Sequence, residues 1–320
     1  MITEIGTNIE KAIHFLNANE LVAIPTETVY GLAANALNTS AVAKIFEAKN
    51  RPFFNPLILH LASIEQIKNY AFVDEISLQL AQHFMPGPFT LLLNKKNNVP
   101  DLVTAGSPKV AIRIPNHTLT NQLLQQLNFP LAAPSANPFG YVSPVTATHV
   151  LQGLQGKIPY ILDGGNCAVG LESTIVEVDN ENIILHRTGG LAIEEIENIC
   201  NKKITLPKHQ STPQTSGQLK SHYATATPLL HGNVEELLQQ FINKKIAIIS
   251  FNKKYFGIDE QHQFILSKGG DLNEAAQHLF TTMRALDAMN YDIILAEIFP
   301  NEGLGVAIND RLKKAQVTEK

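Results

Sequence analysis

The sequence contains only two cysteines, Cys167 and Cys200, and they do not form a Cys-x-x-Cys pair. This excludes a disulfide framework and a zinc site built from cysteines, and it is typical of a reducing compartment. The N-terminal residues lack the basic segment and the long apolar run of a signal peptide. No apolar stretch reaches the length that spans a membrane. We therefore expect a cytoplasmic protein with no membrane contact.

The sequence also lacks the short motifs of several common enzyme classes. It has no Gly-x-Ser-x-Gly elbow, no His-Glu-x-x-His pair and no Walker-type phosphate loop. Its C-terminal third lacks the Gly-x-Gly-x-x-Gly turn of a dinucleotide site. The net charge of -4 argues against a broad nucleic-acid-binding surface, although it leaves room for a local basic patch.

Length and composition are those of a globular chain with two domains. The 320 residues are 44% hydrophobic and 17% charged. Strands alternate with helices in the first half, which predicts a mixed α/β sheet. Lys, Gln, Ser, Thr and Pro then accumulate without periodicity, and a smaller Rossmann-like α/β pattern follows. We therefore predict a catalytic α/β domain at 1–200, a linker or lid at 201–228 and a small α/β domain at 229–320.

One stretch organises the first domain: the hydrophobic run Leu21-Val22-Ala23-Ile24, followed by Pro25-Thr26-Glu27-Thr28. The run predicts a buried strand, and the proline ends it. Polar side chains at the end of a buried strand are where open α/β sheets place ligand chemistry. An ordinary strand-to-helix turn, with Thr26 or Thr28 as a helix cap, is the alternative.

Polar side chains interrupt apolar segments elsewhere in this domain, mostly at strand ends. Cations, hydroxyls and amides dominate among them, which favours binding of phosphate or carboxylate. Lys49 and Arg51 could instead complement a helix dipole, and His60 could be a hydrogen-bonded core histidine. Arg113 lies between two isoleucines of a strand, projects away from both, and needs a structural or substrate carboxylate if it is buried. The candidates are Thr26, Glu27, Thr28, Lys49, Arg51, Asn55, His60, Lys109, Arg113, Ser135, Asn137, Ser143, Ser173, Thr174 and Arg187.

Two serines are predicted to cap helices. Ser40 precedes a helical apolar pattern, and Ser143 is followed by proline, the residue favoured at the first helical position. Because helix N-termini also bind phosphate, Ser143 has both a structural and a functional interpretation.

Several motifs together resemble the YrdC-like domain, in the right order over roughly residues 8–190. They are Pro25-Thr26-Glu27-Thr28-Val29-Tyr30-Gly31-Leu32, Lys49-x-Arg51-Pro52-x-x-Asn55-Pro56-Leu57, Pro86-Gly87-Pro88-x-Thr90, Val110-Ala111-x-Arg113-x-Pro115, Pro134-Ser135-Ala136-Asn137 with Ser143-Pro144, Asp163-Gly164-Gly165 and Gly170-x-Glu172-Ser173-Thr174-Ile175-Val176. The long linker with His222-Tyr223 and the small α/β domain after it are similar to the two-domain threonylcarbamoyl-AMP synthases.

The resemblance implies a nucleotidyltransferase reaction. L-Threonine, bicarbonate and ATP, with Mg²⁺ on the triphosphate, would give L-threonylcarbamoyl-adenylate and pyrophosphate. Other proteins would then transfer the threonylcarbamoyl group to an adenosine of tRNA. Threonine and bicarbonate first form a carbamate, which is itself a nucleophile, so positioning and cations do most of the work. No covalent enzyme nucleophile is needed, in keeping with the missing catalytic triad.

The resemblance also implies roles for single positions. Arg113 would pair with the threonine carboxylate, whereas Ala133 could offer only its backbone. Lys49 and Arg51 would form a cationic catalytic group that faces the phosphates. The resemblance implies no particular protein ligand for the metal. The implied threonine site is Thr28, His60, Arg113, Ala133 and Ser173. The implied ATP site is Arg51, Asn55, Lys109, Ser135, Ser143, Arg187 and Tyr223.

The linker departs from the family pattern. The family usually has Ser-Pro-Gly and a proline after His-Tyr-Ala, where this chain has Thr215-Ser216-Gly217 and Thr225. Losing both prolines makes a lid less pre-organised, and Tyr223 needs that segment to fold back over the site. Lys109 stands where a small hydroxyl residue is common, so its contact with the nucleotide would differ in kind.

Two other functions are open at this point. YrdC-like domains have been discussed as binders of double-stranded RNA, which predicts a broad basic face that the charge of this chain disfavours, leaving at most a weak RNA contact. A carbamoyl-transferring relative from hydrogenase maturation would carry zinc-finger cysteines that this chain lacks. The expected partners are small-molecule substrates and the proteins that consume the adenylate.

Overall fold

The structure, a computed structural model, describes residues 2–180, 182–207, 215, 217 and 222–316. These residues form fifteen strands and eleven helices. The strands are β1 Glu4–Gly6, β2 Val22–Ile24, β3 Gly31–Asn35, β4 Ile58–His60, β5 Phe89–Asn94, β6 Lys109–Arg113, β7 Leu131–Ala132, β8 Tyr160–Leu162, β9 Thr174–Asp179, β10 Asn182–Arg187, β11 Ile204–Thr205, β12 Leu229–Gly232, β13 Ile246–Ser250, β14 Gln263–Ile265 and β15 Ile293–Glu297. The helices are α1 Ile9–Asn17, α2 Thr39–Lys49, α3 Ile67–Tyr70, α4 Glu75–Phe84, α5 Asp101–Thr104, α6 Thr118–Gln126, α7 Ala147–Leu154, α8 Ile193–Cys200, α9 Val234–Gln240, α10 Leu272–Asp287 and α11 Gly305–Ala315.

Eleven of these strands form one mixed sheet in the order β1-β8-β2-β3-β7-β4-β6-β5-β9-β10-β11. The other four form an all-parallel sheet in the order β12-β15-β13-β14. The amphipathic helix α10 buries its apolar face, including Leu279 and Phe280, as its 3.6-residue period predicts. The predicted fold class, a mixed α/β sheet followed by a smaller Rossmann-like unit, is confirmed.

The first sheet extends past residue 200. Its last strand, β11, pairs with β10 within the segment predicted as linker. Most of the remaining linker, at 208–214, 216 and 218–221, lies outside the described residues. The three-part division of the chain stays a prediction. Within the described part of the chain, no helix is both long and apolar enough to cross a membrane.

Two predicted helix N-caps are wrong, and in each case a residue close by in the sequence caps the helix instead. Asn38, not Ser40, caps α2 by accepting from the backbone N–H of Ala41. Thr146, not Ser143, caps α7 by accepting from His149. Caps favour the residue whose oxygen reaches the second or third helical N–H, which is a matter of backbone geometry that sequence alone leaves open.

One edge and one face of the large sheet carry the polar side chains. His60 pairs with Arg113 across the parallel strands β4 and β6, so both side chains emerge on the same face. Leu59 and Ile112, one residue earlier, point to the opposite face and belong to the main hydrophobic core. β5 runs antiparallel to β6 and parallel to β9, so both begin at the edge where β6 ends. Because β10 runs antiparallel to β9, its last residue, Arg187, lies at that same edge. The sheet thus gathers cations from distant parts of the sequence.

Candidate active site

A cavity lies over this face. Eight of the predicted site residues line it: Arg51, His60, Arg113, Ala133, Ser135, Ser173, Arg187 and Tyr223. Predicted site residues that lie more than 170 positions apart in the sequence therefore line the same cavity. The lining also includes residues outside the predicted binding set, among them Thr26, Glu172, Gly217 and His222.

Arg51 is a buried cation, with 5% of its surface exposed. Its Nε and Nη2 donate to the backbone carbonyls of Asn55 and Pro56, at 3.2 and 3.0 Å. Among the described residues no carboxylate lies within ion-pair distance of it. Burial, and then the nearby Arg187 guanidinium, lower the pKa of Arg51 to about 9. Because a buried charge is costly unless it is paired, this one is suited to an anionic ligand.

Lys49 lies beneath the same wall of the cavity rather than in its lining. It is 1% exposed, and its ammonium donates to the carbonyls of Ser135, at 2.5 Å, and Asn137. Burial, with the charge of Arg51 beside it, holds the pKa of Lys49 well below its usual value. Lys49 therefore fixes the loop that presents Ser135, and it places a second basic group next to Arg51.

Arg113 is held on three sides. Its Nη1 donates to Thr28 Oγ1 at 2.8 Å, and its Nε donates to the Gly87 carbonyl at 3.2 Å. Its Nη2 forms an ion pair with Glu27 Oε2 at 2.7 Å. Thr28 is fully buried and is not in the lining, so it orients Arg113 and, through a 2.8 Å hydroxyl contact, Thr26. Thr28 thus affects the cavity through Thr26 and Arg113, which both line it.

His60 carries a defined tautomer. Its Nδ1 lies 3.2 Å from the Ile58 carbonyl, and this contact requires the proton on Nδ1. Burial, and then the Arg113 charge, lower the pKa of His60 to about 3, so the ring is neutral. Nε2 is left as an acceptor, which suits a ligand hydroxyl or N–H rather than a second anion.

Arg187 and Ser173 form the opposite wall. Arg187 donates from Nε to the Ser173 carbonyl at 3.0 Å and from Nη2 to Ser173 Oγ at 3.1 Å. Ser173 Oγ also lies 2.7 Å from Thr90 Oγ1. Burial lowers the pKa of Arg187 to about 10, so it remains a cation at neutral pH. This wall offers a guanidinium and a hydroxyl in fixed orientation.

Ala133 contributes little polarity. Its N–H donates to the Ile58 carbonyl at 3.0 Å and is therefore engaged.

Glu172 lines the cavity and was not among the predicted binding residues. Although burial opposes ionisation, the guanidinium groups of Arg311 and Arg187 and a hydrogen bond from Ser143 lower its pKa to about 2. Ser143 Oγ donates to Glu172 Oε1 at 2.5 Å. The hydroxyl predicted as a cap or an ATP contact is thus engaged by this carboxylate. The only sequence signal for Glu172 was its place in the motif Gly170-x-Glu172-Ser173.

The linker contributes Gly217, His222 and Tyr223 to the cavity. The Tyr223 side chain is buried, and its ring stacks on Phe280 with centroids 5.5 Å apart. Burial lowers the pKa of His222 to about 3. Tyr223 thus lines the cavity, and the lid formed by its segment stays a prediction.

Asn55 and Lys109 are not brought into the lining. Asn55 is fully buried, and neither amide atom has a hydrogen-bond partner among the described residues. Such an orphaned amide is typical of a group that awaits a ligand or water. Lys109 begins β6, the strand that Arg113 ends, and its ammonium contacts Glu177. The roles of both residues with ATP stay predictions.

The arrangement suits two anions and one neutral polar group. Buried guanidinium groups can bind carboxylate or phosphate bidentately, and they act strongly where water is excluded. The neutral His60 and the Ser173 hydroxyl add direction without charge. In contrast, no group of three His, Cys, Asp or Glu side chains among the described residues could hold a metal ion.

Two family models match the chain. One, described as "Telomere recombination" for the Sua5, YciO and YrdC proteins, covers residues 14–189. The other, described as "Threonylcarbamoyl-AMP synthase, C-terminal domain", covers residues 191–316.

Full-length relatives and a solved structure agree with these matches. The threonylcarbamoyl-AMP synthase of Pyrococcus abyssi is 40% identical over 95% of this chain and 92% of its own length. That of Bacillus subtilis is 38% identical over 98% of this chain and 94% of its own length. The crystal structure of P. abyssi Sua5 complexed with L-threonine has a TM-score of 0.89 and 38% identity, covering 98% of this chain and 96% of that one. The chain therefore belongs to the two-domain threonylcarbamoyl-AMP synthase family.

Proposed function

We propose that this protein condenses L-threonine, bicarbonate and ATP into L-threonylcarbamoyl-adenylate and pyrophosphate, with release of water. The observation that carries the proposal is the buried Arg51 guanidinium in the cavity lining, which has no carboxylate within ion-pair distance among the described residues and has the buried Lys49 amine beside it. An anion of several charges, such as a triphosphate, balances that buried charge.

The threonine carbamate is proposed to lie against Arg113, His60 and Ser173. Arg113 binds the amino-acid carboxylate and exchanges Glu27 for it. His60 accepts a hydrogen bond at Nε2 from the hydroxyl or N–H of the carbamate. Ser173 orients the other end of the same carbamate. Since the carbamate is the nucleophile, the protein's task is to hold it in line with the α-phosphate.

The nucleotide is proposed to occupy the part of the cavity bounded by Arg51, Ser135, Arg187 and Tyr223. Asn55 lies outside the lining and orients Arg51, whose Nε donates to the Asn55 carbonyl. Charge develops on the pyrophosphate as it leaves, and fixed guanidinium groups stabilise that charge without reorganisation.

Mg²⁺ fits this cavity as a companion of the triphosphate. Mg²⁺ commonly keeps several waters and binds the phosphate oxygens of a substrate, so the triphosphate itself would supply most of its ligands. When bound, the ion would neutralise phosphate charge.

The experiment is to measure pyrophosphate release by the purified chain with each substrate omitted in turn. Release requires ATP, threonine and bicarbonate together, and label from ¹⁴C-bicarbonate enters an adenylate. Release that ignores threonine or bicarbonate overturns the proposal.

The partners and location follow from this chemistry as further proposals. The product, a mixed anhydride, hydrolyses unless a transferase consumes it, so tRNA-modifying proteins in the cytoplasm are the proposed consumers. The slightly acidic chain, with net charge -4, supports at most weak contact with RNA. Binding of labelled tRNA over a range of salt concentrations tests that contact.

A further inference from the structure

Helix α11 of the small C-terminal sheet domain inserts an arginine behind the cavity. Arg311 is fully buried, although it lies on a helix outside the first sheet. Its Nε donates to Glu172 Oε2 at 2.9 Å, and its Nη2 donates to the Thr188 carbonyl at 2.8 Å. Its Nη1 donates to Asp310 at 2.6 Å. One guanidinium thus joins a cavity carboxylate, the turn after β10 and its own helix.

The same arginine contacts the linker segment of the cavity. Its guanidinium carbon lies 5.2 Å from the centroid of the Tyr223 ring. Tyr223 has a φ of +65°, a left-handed conformation that is costly for a bulky side chain and persists only where the surroundings enforce it. The surroundings are α11 and α10: Lys314 accepts from His222 N–H through its carbonyl, and Phe280 stacks on the ring.

We propose that Arg311 is a positioning residue for the nucleotide part of the cavity, which it organises through Glu172 and Tyr223. This inference rests on the proposed function, and it assigns to the small domain a part in binding ATP. Arg311 does not line the cavity itself, and it contacts two residues that do, Glu172 and Tyr223.

The physical reason lies in the position of Glu172. This carboxylate is close enough to Arg187 for the two charges to interact. If Glu172 turned further into the cavity, its negative charge would oppose the approach of the phosphates. Ser143 donates to Oε1 of Glu172 and Arg311 donates to Oε2, and these two hydrogen bonds fix the position of the carboxylate.

A lysine cannot replace this group. An ammonium is a single point of charge, whereas the planar guanidinium spans Glu172 and the Thr188 carbonyl and covers the Tyr223 ring at once. The variant Arg311→Lys keeps the charge and removes the fork.

The test measures the affinity of wild type and Arg311→Lys for a non-hydrolysable ATP analogue and for threonine by calorimetry. We expect affinity for the analogue to fall by about 10-fold in Arg311→Lys, as for a lost charge-assisted hydrogen bond, with threonine affinity within about 2-fold. Asp287→Asn is the matched control. Asp287 also joins the two domains, through Tyr141 and the Thr227 N–H, and neither of these partners lines the cavity. It should leave both affinities unchanged.

A double-mutant cycle separates positioning from general stability. Glu172→Asp shortens the carboxylate and withdraws it from Arg311. If Arg311 acts through Glu172, the double variant binds the analogue about as weakly as the weaker single variant. Additive losses, or equal losses for threonine and the analogue, overturn the inference. If wild type itself fails to bind the analogue, the proposed function fails instead, whereas analogue binding that Arg311→Lys leaves unchanged overturns the inference alone.

Discussion

Arg113 and Glu27 form a buried ion pair that lacks a hydrogen bond. Nη2 of Arg113 lies 2.7 Å from Glu27 Oε2, but off the angle of a hydrogen bond. Neither oxygen of Glu27 has a hydrogen-bond partner among the described residues. A buried polar pair left partly unsatisfied is readily exchanged for a better partner. A substrate carboxylate can therefore replace Glu27 on the same guanidinium.

We predict that Arg113→Ala raises the KM for threonine by about 10- to 100-fold, the loss expected for a charge-assisted bidentate contact. The KM for ATP should change by no more than about 3-fold, since Arg113 lies on the amino-acid side of the cavity. Pyrophosphate release at varied threonine and varied ATP measures both.

Arg51→Ala is the reciprocal variant. It should raise the KM for ATP more than that for threonine, because Arg51 is assigned to the phosphates. Equal effects on the two substrates in either variant would contradict the assignment.

Lys109→Ala should leave the KM for ATP within about 2-fold, because Lys109 does not line the cavity. Its ammonium contacts Glu177, whose other oxygen lies 2.7 Å from His186 Nε2. A 10-fold rise in the KM for ATP would instead support the role that the family resemblance implies for Lys109.

Gly217→Ala should weaken ATP binding by about 10-fold, the equivalent of the strain of a left-handed alanine plus a steric contact. Gly217 has a φ of +85°, and an added Cβ would lie 3.0 Å from Arg187 Cδ. The side chain of Arg187 would have to move away from its wall of the cavity. Titration with an ATP analogue measures the change.

Gly106→Ala is the matched control for that variant. Gly106 has a similar φ of +78°, but nothing lies within 4 Å of an added Cβ. It should lower the melting temperature by a comparable amount and leave ATP affinity unchanged. If both variants weaken ATP binding equally, the contact with Arg187 is not the cause.

The stability of the fold should fall as pH decreases from 7 to 5.5, partly through His60 and His222. Burial lowers the pKa of each to about 3 in the folded state. Because the unfolded histidines titrate near their ordinary value, the unfolded chain binds more protons once pH falls below about 6.5, and stability is lost from there down towards pH 3. Each histidine contributes about 1 kcal/mol of that loss between pH 7 and 5.5.

Urea unfolding at the two pH values measures the effect. In the double variant His60→Gln/His222→Gln, the loss of stability between the two pH values should shrink by about 2 kcal/mol. An unchanged loss in that variant would show that neither ring is held neutral in the folded protein.

Local patterns predicted the alternation of strands and helices and the direction of one candidate side chain. The isoleucines around Arg113 placed its side chain on the opposite face of β6, where it lines the cavity. Periodicity also predicted α10 and its buried face. These features depend on neighbours in the chain, which a single sequence shows.

Features that depend on distant contacts were not predictable in the same way. Ser143 has the sequence pattern of a helix cap, but its hydroxyl donates to Glu172, 29 residues further along the chain. Nothing near Arg311 in the sequence marks it as a buried partner of that same carboxylate. Such pairings are fixed by the packing of whole domains, and one sequence without the fold carries no record of them.

The contact between Glu172 and Arg311 spans 139 residues of chain. On the ribosome, the first sheet therefore emerges long before the arginine that neutralises one of its innermost carboxylates. Until α11 is synthesised and docks, Glu172 places a negative charge at the cavity without its arginine partner. Newly made protein should thus acquire affinity for nucleotide late, in step with completion of the chain rather than with folding of the first sheet.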